Sequence, residues 1–368
     1  MEGAYGGKEN KVKDMKNELN TPQEMIIRDN KCGDNLSWSL NDGVLTINGT
    51  GDMFNYTRNS FPWYNNKDSI LSIMIDNGVT SIGDYACYEC NVLKSMIIPD
   101  SVISIGGFAF HSCRSLSNVT IPHSITSLGE YSFNTCTNLQ TITIPNSITS
   151  IKIGTFAHCT NLTNVVIPDS IISIESYAFY NRFSINNVII PNSITSIGDN
   201  VFYNCYSLNN IIIPESITSI GCESFYNCSS LTNITIPDNV KTIGKSAFYN
   251  CTNLKHATIP ESVISIGTDA FSFCKNLSTV LYYGYKELTT NVFNTCPSLK
   301  NVCVPPDYNS TIKVLFSCNL GYPDILASFT IVTRIFLALQ IETRLQSSFL
   351  LILVIISAIS FALFSSSI

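Results

Sequence analysis

Apolar residues between positions 70 and 305 follow two short alternations separated by turn signals. In Leu231-Thr-Asn-Ile-Thr-Ile236 the closing residues alternate, which predicts a short strand with Ile234 and Ile236 facing inward. Pro237 follows and ends that strand, because proline has a fixed φ and no ladder donor. In Ile217-Thr-Ser-Ile220 a second short extended side is expected, with Ile217 and Ile220 inward. Gly221 then stands where a corner of positive φ is expected. A few residues on, Phe225 is expected to enter the core from a short helical turn.

This unit repeats in strict register. The prolines Pro99, Pro122, Pro145, Pro168, Pro191, Pro214, Pro237 and Pro260 are 23 residues apart, and Phe110 to Phe271 keep the same step. Cysteine follows at Cys90, Cys113, Cys136, Cys159, Cys205, Cys228, Cys251 and Cys274, then Cys296 one residue early. The consensus reads LxxIxIPxSITSIGxxAFxxCxN, and a 20–29-residue period with LxxLxL is a leucine-rich-repeat signature. The expected fold is a right-handed repeat solenoid with a parallel β-sheet of about eleven strands, spaced about 4.8 Å apart. A short second β side, short helical turns and a column of stacked phenylalanines complete the coil.

Departures from the repeat are local. The glycine is displaced by two in Ile151-Lys-Ile-Gly154, Glu175 replaces the next one, and Arg182 replaces a cysteine. An arginine at that inward position is expected to force the coil open, since an unpaired buried charge is costly. Residues 32–69 read as an N-terminal cap: LSWSL and VLTING flank the turn Asn41-Asp42-Gly43, and Pro62-Trp63-Tyr64 follows. The other divisions are a polar, disordered segment at 1–31, the solenoid at 70–305, an unassigned connection at 306–344 and an apolar end at 345–368. That end has no charged residue, which predicts a membrane-spanning helix, a buried terminal cap helix being the alternative. The polar first 31 residues contain no apolar signal-peptide core.

Together the 23-residue IPxSITSIGxxAFxxCxxL unit and the leader CGDNLSWSLNDGVLTINGTGDM (Cys32–Met53), continued by PWY, resemble the BspA-like leucine-rich-repeat family. The resemblance covers roughly residues 32–305. It implies a surface protein that adheres to host cells, extracellular matrix or other microbes, with no enzyme activity and no cofactor.

Composition narrows the chemistry. Hydrophobic residues make up 45% of the chain and charged residues 13%, so it can bury a large core and is not disordered. A net charge of -6 without a basic run argues against nucleic acid as partner. Of 14 cysteines, nine occupy one repeat position. Stacked equivalents about 4.8 Å apart with parallel side chains do not suit a disulfide, so small buried thiols facing backbone are expected. Cys87 and Cys90 form a C-x2-C pair without a second pair or histidine nearby. His111 and His158 lie two repeats apart, too far to share a metal. No catalytic or nucleotide-binding motif occurs, and no metal site is expected. Ten N-x-S/T sequons, including Asn118, Asn161, Asn233, Asn250 and Asn276, are acceptors only in a secretory pathway.

Three columns of strand residues are expected to face away from the core. They run from Lys94 to Lys300, from Ser95 to Asn301, and from Ile97 to Cys303, one residue per repeat. Within them Asn164, Val166, Asn187, Ile189, Asn210 and Ile212 form the candidate ligand-binding face, an apolar stripe bordered by amides. The partner expected there is a protein or glycoprotein, with the membrane contacted through the C-terminal helix. Two functions compete: a membrane-anchored adhesin at the cell surface, and a tethered cytoplasmic scaffold. Lys313, Arg334 and Arg344 precede the apolar end and no positive charge follows it, which favours the second; the family resemblance favours the first.

Overall fold

The computed structural model describes residues 30–284, 288, 290–305 and the strand Ser317–Asn319. Each coil has three sides. The first is a strand of three or four residues such as Asn233–Thr235, and the second a two-residue strand such as Thr242–Ile243. The third is a run of turns. Successive first-side strands pair in parallel one repeat apart, as in Asn118 with Thr141 and Thr141 with Asn164. From Ser72–Ile75 to Asn301–Val304 there are eleven such strands. The helix content among the described residues is two short 3-10 segments, Tyr64–Ser69 and Thr290–Phe293.

Each proline closes a turn between sides. The amide of Val240 donates to the Pro237 carbonyl at 3.1 Å, and Ile217 to Pro214 likewise. On the third side the expected helical turn is replaced by consecutive tight turns. Glu223, Phe225 and Asn227 donate their amides to Lys245, Ala247 and Tyr249 of the next coil, each at 2.8 Å. Donating outward to a neighbour is incompatible with donating along a helix, so alternate turns swing to positive φ, at 54° for Glu223 and 59° for Asn227.

The corner glycines also act differently from expectation. Gly221 is not among the positive-φ glycines. It is needed for close approach, because a Cβ there would lie 2.5 Å from the carbonyl carbon of Gly198 one coil earlier. The displaced Gly154, at φ 60°, does sit at a left-handed position, two residues past that corner.

The core is a single column. The rings of Phe110, Phe133, Phe156, Phe179, Phe202, Phe225, Phe248 and Phe271 are fully buried and stack at centroid separations from 5.0 to 6.0 Å. Beside them run the thiols, free and buried at Cys113, Cys136, Cys159, Cys205, Cys228, Cys251 and Cys274. The Cys228 thiol donates to the Phe202 carbonyl at 3.2 Å, and its equivalents repeat that bond.

At the N-terminal end Leu36–Asn41 and Val44–Gly49 form a hairpin. Its two-residue loop, Asp42 and Gly43, has φ of 48° and 79°, the signs a type I′ turn requires. The second hairpin strand pairs in parallel with Ser72–Ile75 and so covers the first repeat edge. Trp63 is fully buried beneath it, donating its indole N–H to the Ala86 carbonyl at 2.8 Å. At the other end, Ser317–Asn319, within the span left unassigned by sequence, adds a parallel strand to Asn301–Val304. The helix expected at 345–368 lies outside the described residues. Among the described residues no helix is long and apolar enough to cross a membrane.

A candidate ligand-binding face

Alternation along each first-side strand decides what the face presents. In Asn187–Ile189 the middle residue, Val188, is buried and its two neighbours are exposed. The same pattern holds in Asn210–Ile212. Val166, Ile189 and Ile212 are 66%, 61% and 40% exposed, large values for β-branched apolar side chains. Asn187 and Asn210 are exposed beside them, whereas Asn164 is placed in its strand without a described side chain. Parallel register aligns Asn187 with Asn210 and Ile189 with Ile212. The neighbouring positions Gln140, Thr163, Asn186 and Asn209 are exposed and uncharged, so what this face offers is apolar contact and amide hydrogen bonds.

Two expectations need correction here. Cys303, assigned by alternation to the outward column, is buried and disulfide-bonded, and its ladder neighbour is Cys318. Arg182 was expected to force its coil open because it could not be buried unpaired, yet its side chain is fully buried. One guanidinium nitrogen donates to the Leu162 carbonyl at 3.1 Å, and the group lies over the Phe179 ring at 5.3 Å. Its Nε and remaining terminal nitrogen have no partner. Desolvation pulls its pKa down to about 10, which still leaves a cation at neutral pH. Buried in this way, it is not a contact for a partner on the face.

Nearer the cap Met74 and Ile97 are also exposed in this column, separated from Val166 by Thr120 and Thr143. Sequence reading missed two aromatic features. Phe183 and Tyr206, both exposed, stack at 5.2 Å on the turn leading into the strands. On the third side Tyr180, Tyr203, Tyr226 and Tyr249 form a half-buried ladder at 4.5 to 4.8 Å. Beside it Asn204, Asn227 and Asn250 each donate to the asparagine one coil back at 2.6 to 2.7 Å. Their 23-residue period was the available signal. Among the described residues no group of His, Cys, Asp and Glu is arranged to hold a metal ion.

The model of the BspA-type leucine-rich repeat region, present in six copies, matches residues 59–182, 172–300 and 218–338. The chain belongs to the BspA-type leucine-rich-repeat family. Among solved structures, a leucine-rich repeat protein from Eubacterium ventriosum is similar at 26% identity and a TM-score of 0.55, covering 74% of this chain and 77% of that one. A leucine-rich cell surface protein from Faecalibacterium prausnitzii matches at 25% identity and a TM-score of 0.50, over 74% and 88%. A leucine-rich repeat protein from Bacteroides ovatus shares the fold at 24% identity and a TM-score of 0.53, over 74% and 94%. No curated protein matches the chain. BspA-type repeats fall in a class that is generally non-catalytic and generally binds proteins.

Proposed function

We propose that this chain is a non-catalytic surface adhesin that binds a protein or glycoprotein of host cells, extracellular matrix or other microbes through its first-side strand face. The observation that carries the reading is the run of exposed Val166, Ile189 and Ile212 beside uncharged amides. A solvated sheet face has no need of such a stripe, and exposed apolar patches mark interaction sites. The cell-surface assignment of the Faecalibacterium prausnitzii protein supports the same placement here. The uncharged segment 345–368 supplies a membrane tether on this reading.

A tethered cytoplasmic scaffold is the second reading, favoured by Lys313, Arg334 and Arg344 ahead of the apolar segment. Protease shaving of intact cells, followed with an antibody to the repeats, separates the two. Loss of the repeat signal supports the adhesin, and full protection with intact membranes supports the scaffold.

A further inference from the structure

Four separate regularities of the solenoid fail within one stretch of chain. The thiol column is interrupted, with Arg182 between Cys159 and Cys205, and the Cys205 thiol reaches the Phe179 carbonyl at 3.5 Å where its equivalents lie near 3.2 Å. Phenylalanine spacing widens to 6.0 Å at Phe133–Phe156 and Phe156–Phe179, against 5.1 and 5.0 Å at Phe225–Phe248 and Phe248–Phe271. The glycine corner is filled by Lys152 and Glu175 in successive coils. Finally, the first-side sheet breaks between Asn164–Val166 and Asn187–Ile189.

Among the described residues the first side has other breaks, after Ser95–Ile97 and after Asn210–Ile212. At those, the bond leading into the next strand survives, Ser115 donating to Asn91 and Ser230 to Tyr206, each at 3.1 Å. At the middle break the equivalent bond from Ser184 to Thr160 is absent too, and so is the next one, from Ser207 to Phe183. The turn carrying Arg182 and Phe183 therefore lacks this bond on both flanks, although the strands after it pair. The third side stays joined, and the second keeps one residue pair while losing the Gly198-to-Ile174 bond whose equivalents Gly221 and Gly244 make in later coils. Ile174 pairs with Ile197, and His158 and Asn181 donate to Tyr180 and Tyr203 at 2.7 and 2.8 Å.

We propose that the coil carrying Arg182 is a joint, open on the sheet side and held on the other two, which divides the solenoid into two stacks that can move against each other. The buried guanidinium maintains it. Two of its nitrogens lack acceptors, and closing the coil further removes none of that cost, whereas a small opening admits water to them. Cysteine, the residue of the flanking coils, would satisfy a carbonyl and let the strands zip. The apolar stripe crosses the joint between Val166 and Ile189; resting on the function proposed above, a partner spanning it would set the angle between the stacks.

Hydrogen exchange on the full-length protein tests the joint without any ligand. The Ser184 amide is expected to exchange at least about tenfold faster than those of Ser230 and Asn253, and Arg182→Cys to slow it by at least about threefold while leaving Ser230 unchanged. Equal protection at Ser184 and Ser230 in the native protein would overturn the joint. If Ser184 is fast but Arg182→Cys, and equally Arg182→Met, leaves it fast, the assignment to the arginine is wrong. Neither outcome bears on whether the face binds a partner.

Discussion

Lys152 and Glu175 occupy, in successive coils, the corner that Gly129 fills in the coil before and Gly198 in the coil after, and their side chains meet at 3.1 Å. Two coils have exchanged close backbone approach for a half-exposed ion pair. Such pairs contribute at most about 1 kcal/mol, so Glu175→Ala is expected to cost no more than that. Gly221→Ala places a Cβ 2.5 Å from the Gly198 carbonyl carbon and is expected to cost about 1–3 kcal/mol through overpacking. Urea midpoints rank the two, and the reverse order contradicts the close-approach role.

Phe225 and Ser224 are adjacent, both fully buried, and predicted to behave in opposite ways. Phe225 stacks between Phe202 and Phe248 at 5.4 and 5.1 Å, so Phe225→Ala is expected to cost about 3–5 kcal/mol. The Ser224 hydroxyl has no hydrogen-bond partner, and alanine fills its site at Ala109, Ala178, Ala247 and Ala270. Ser224→Ala is therefore expected to be neutral or to stabilise by up to about 1 kcal/mol. Chemical denaturation showing a loss above 1 kcal/mol for Ser224→Ala would mean that the hydroxyl is paired.

Most of this architecture was legible in the chain because repetition turns one weak local signal into many aligned ones. The phenylalanine column, the thiol column and the outward stripe all follow from a 23-residue step. What escaped depended on contacts between coils rather than within one. The glycine corner was read as a φ requirement, but its cause is a backbone one coil away. The αL residues of the third side, among them Tyr85, Thr135 and Glu223, have no common side-chain signature, because amide donation to the next coil sets their conformation. Arg182 was judged by its own burial cost, whereas Leu162 and Phe179 supply a carbonyl and a ring that only the folded coil brings near it.

The thiol column predicts restricted chemistry. Burial pushes the Cys159 pKa up to about 11 and that of Cys205 up to about 12, so neither thiolate forms near neutrality. Alkylation of the native protein is expected to label the exposed Cys222 and to spare Cys113, Cys136, Cys228 and Cys251. All five label after denaturation without reductant. Mass spectrometry that finds disulfides between successive members of the column would refute the arrangement.

Acid should weaken the solenoid through His111. Its ring stacks on Tyr88 at 4.8 Å, and burial pushes its pKa from about 6.5 down to about 4. Between those values the unfolded chain binds the proton and the folded chain does not, so stability is full above about pH 6.5 and falls as pH drops towards 4. Glu89, held below the usual carboxylate range by hydrogen bonds from Lys67 and Arg58 despite partial burial, adds its loss only at lower pH. His111→Gln is expected to reduce the difference between urea midpoints at pH 7.5 and pH 5. An unchanged difference would place the acid sensitivity elsewhere.

The binding face itself is tested by moving one chemical change between two sides of the coil. Ile189 and Ile212 lie on the first side, and Ile172 and Ile264, each 61% exposed, lie at the start of the second. Attachment of the purified protein to intact cells and to immobilised matrix proteins is measured for Ile189→Lys with Ile212→Lys and for Ile172→Lys with Ile264→Lys. Both double variants should keep the native circular-dichroism spectrum, since none of the four side chains is buried. The account predicts that the first pair weakens attachment at least about tenfold, or about 1.4 kcal/mol, and that the second leaves it nearly unaltered. Unchanged attachment in the first pair, or an equal loss in both, would contradict it.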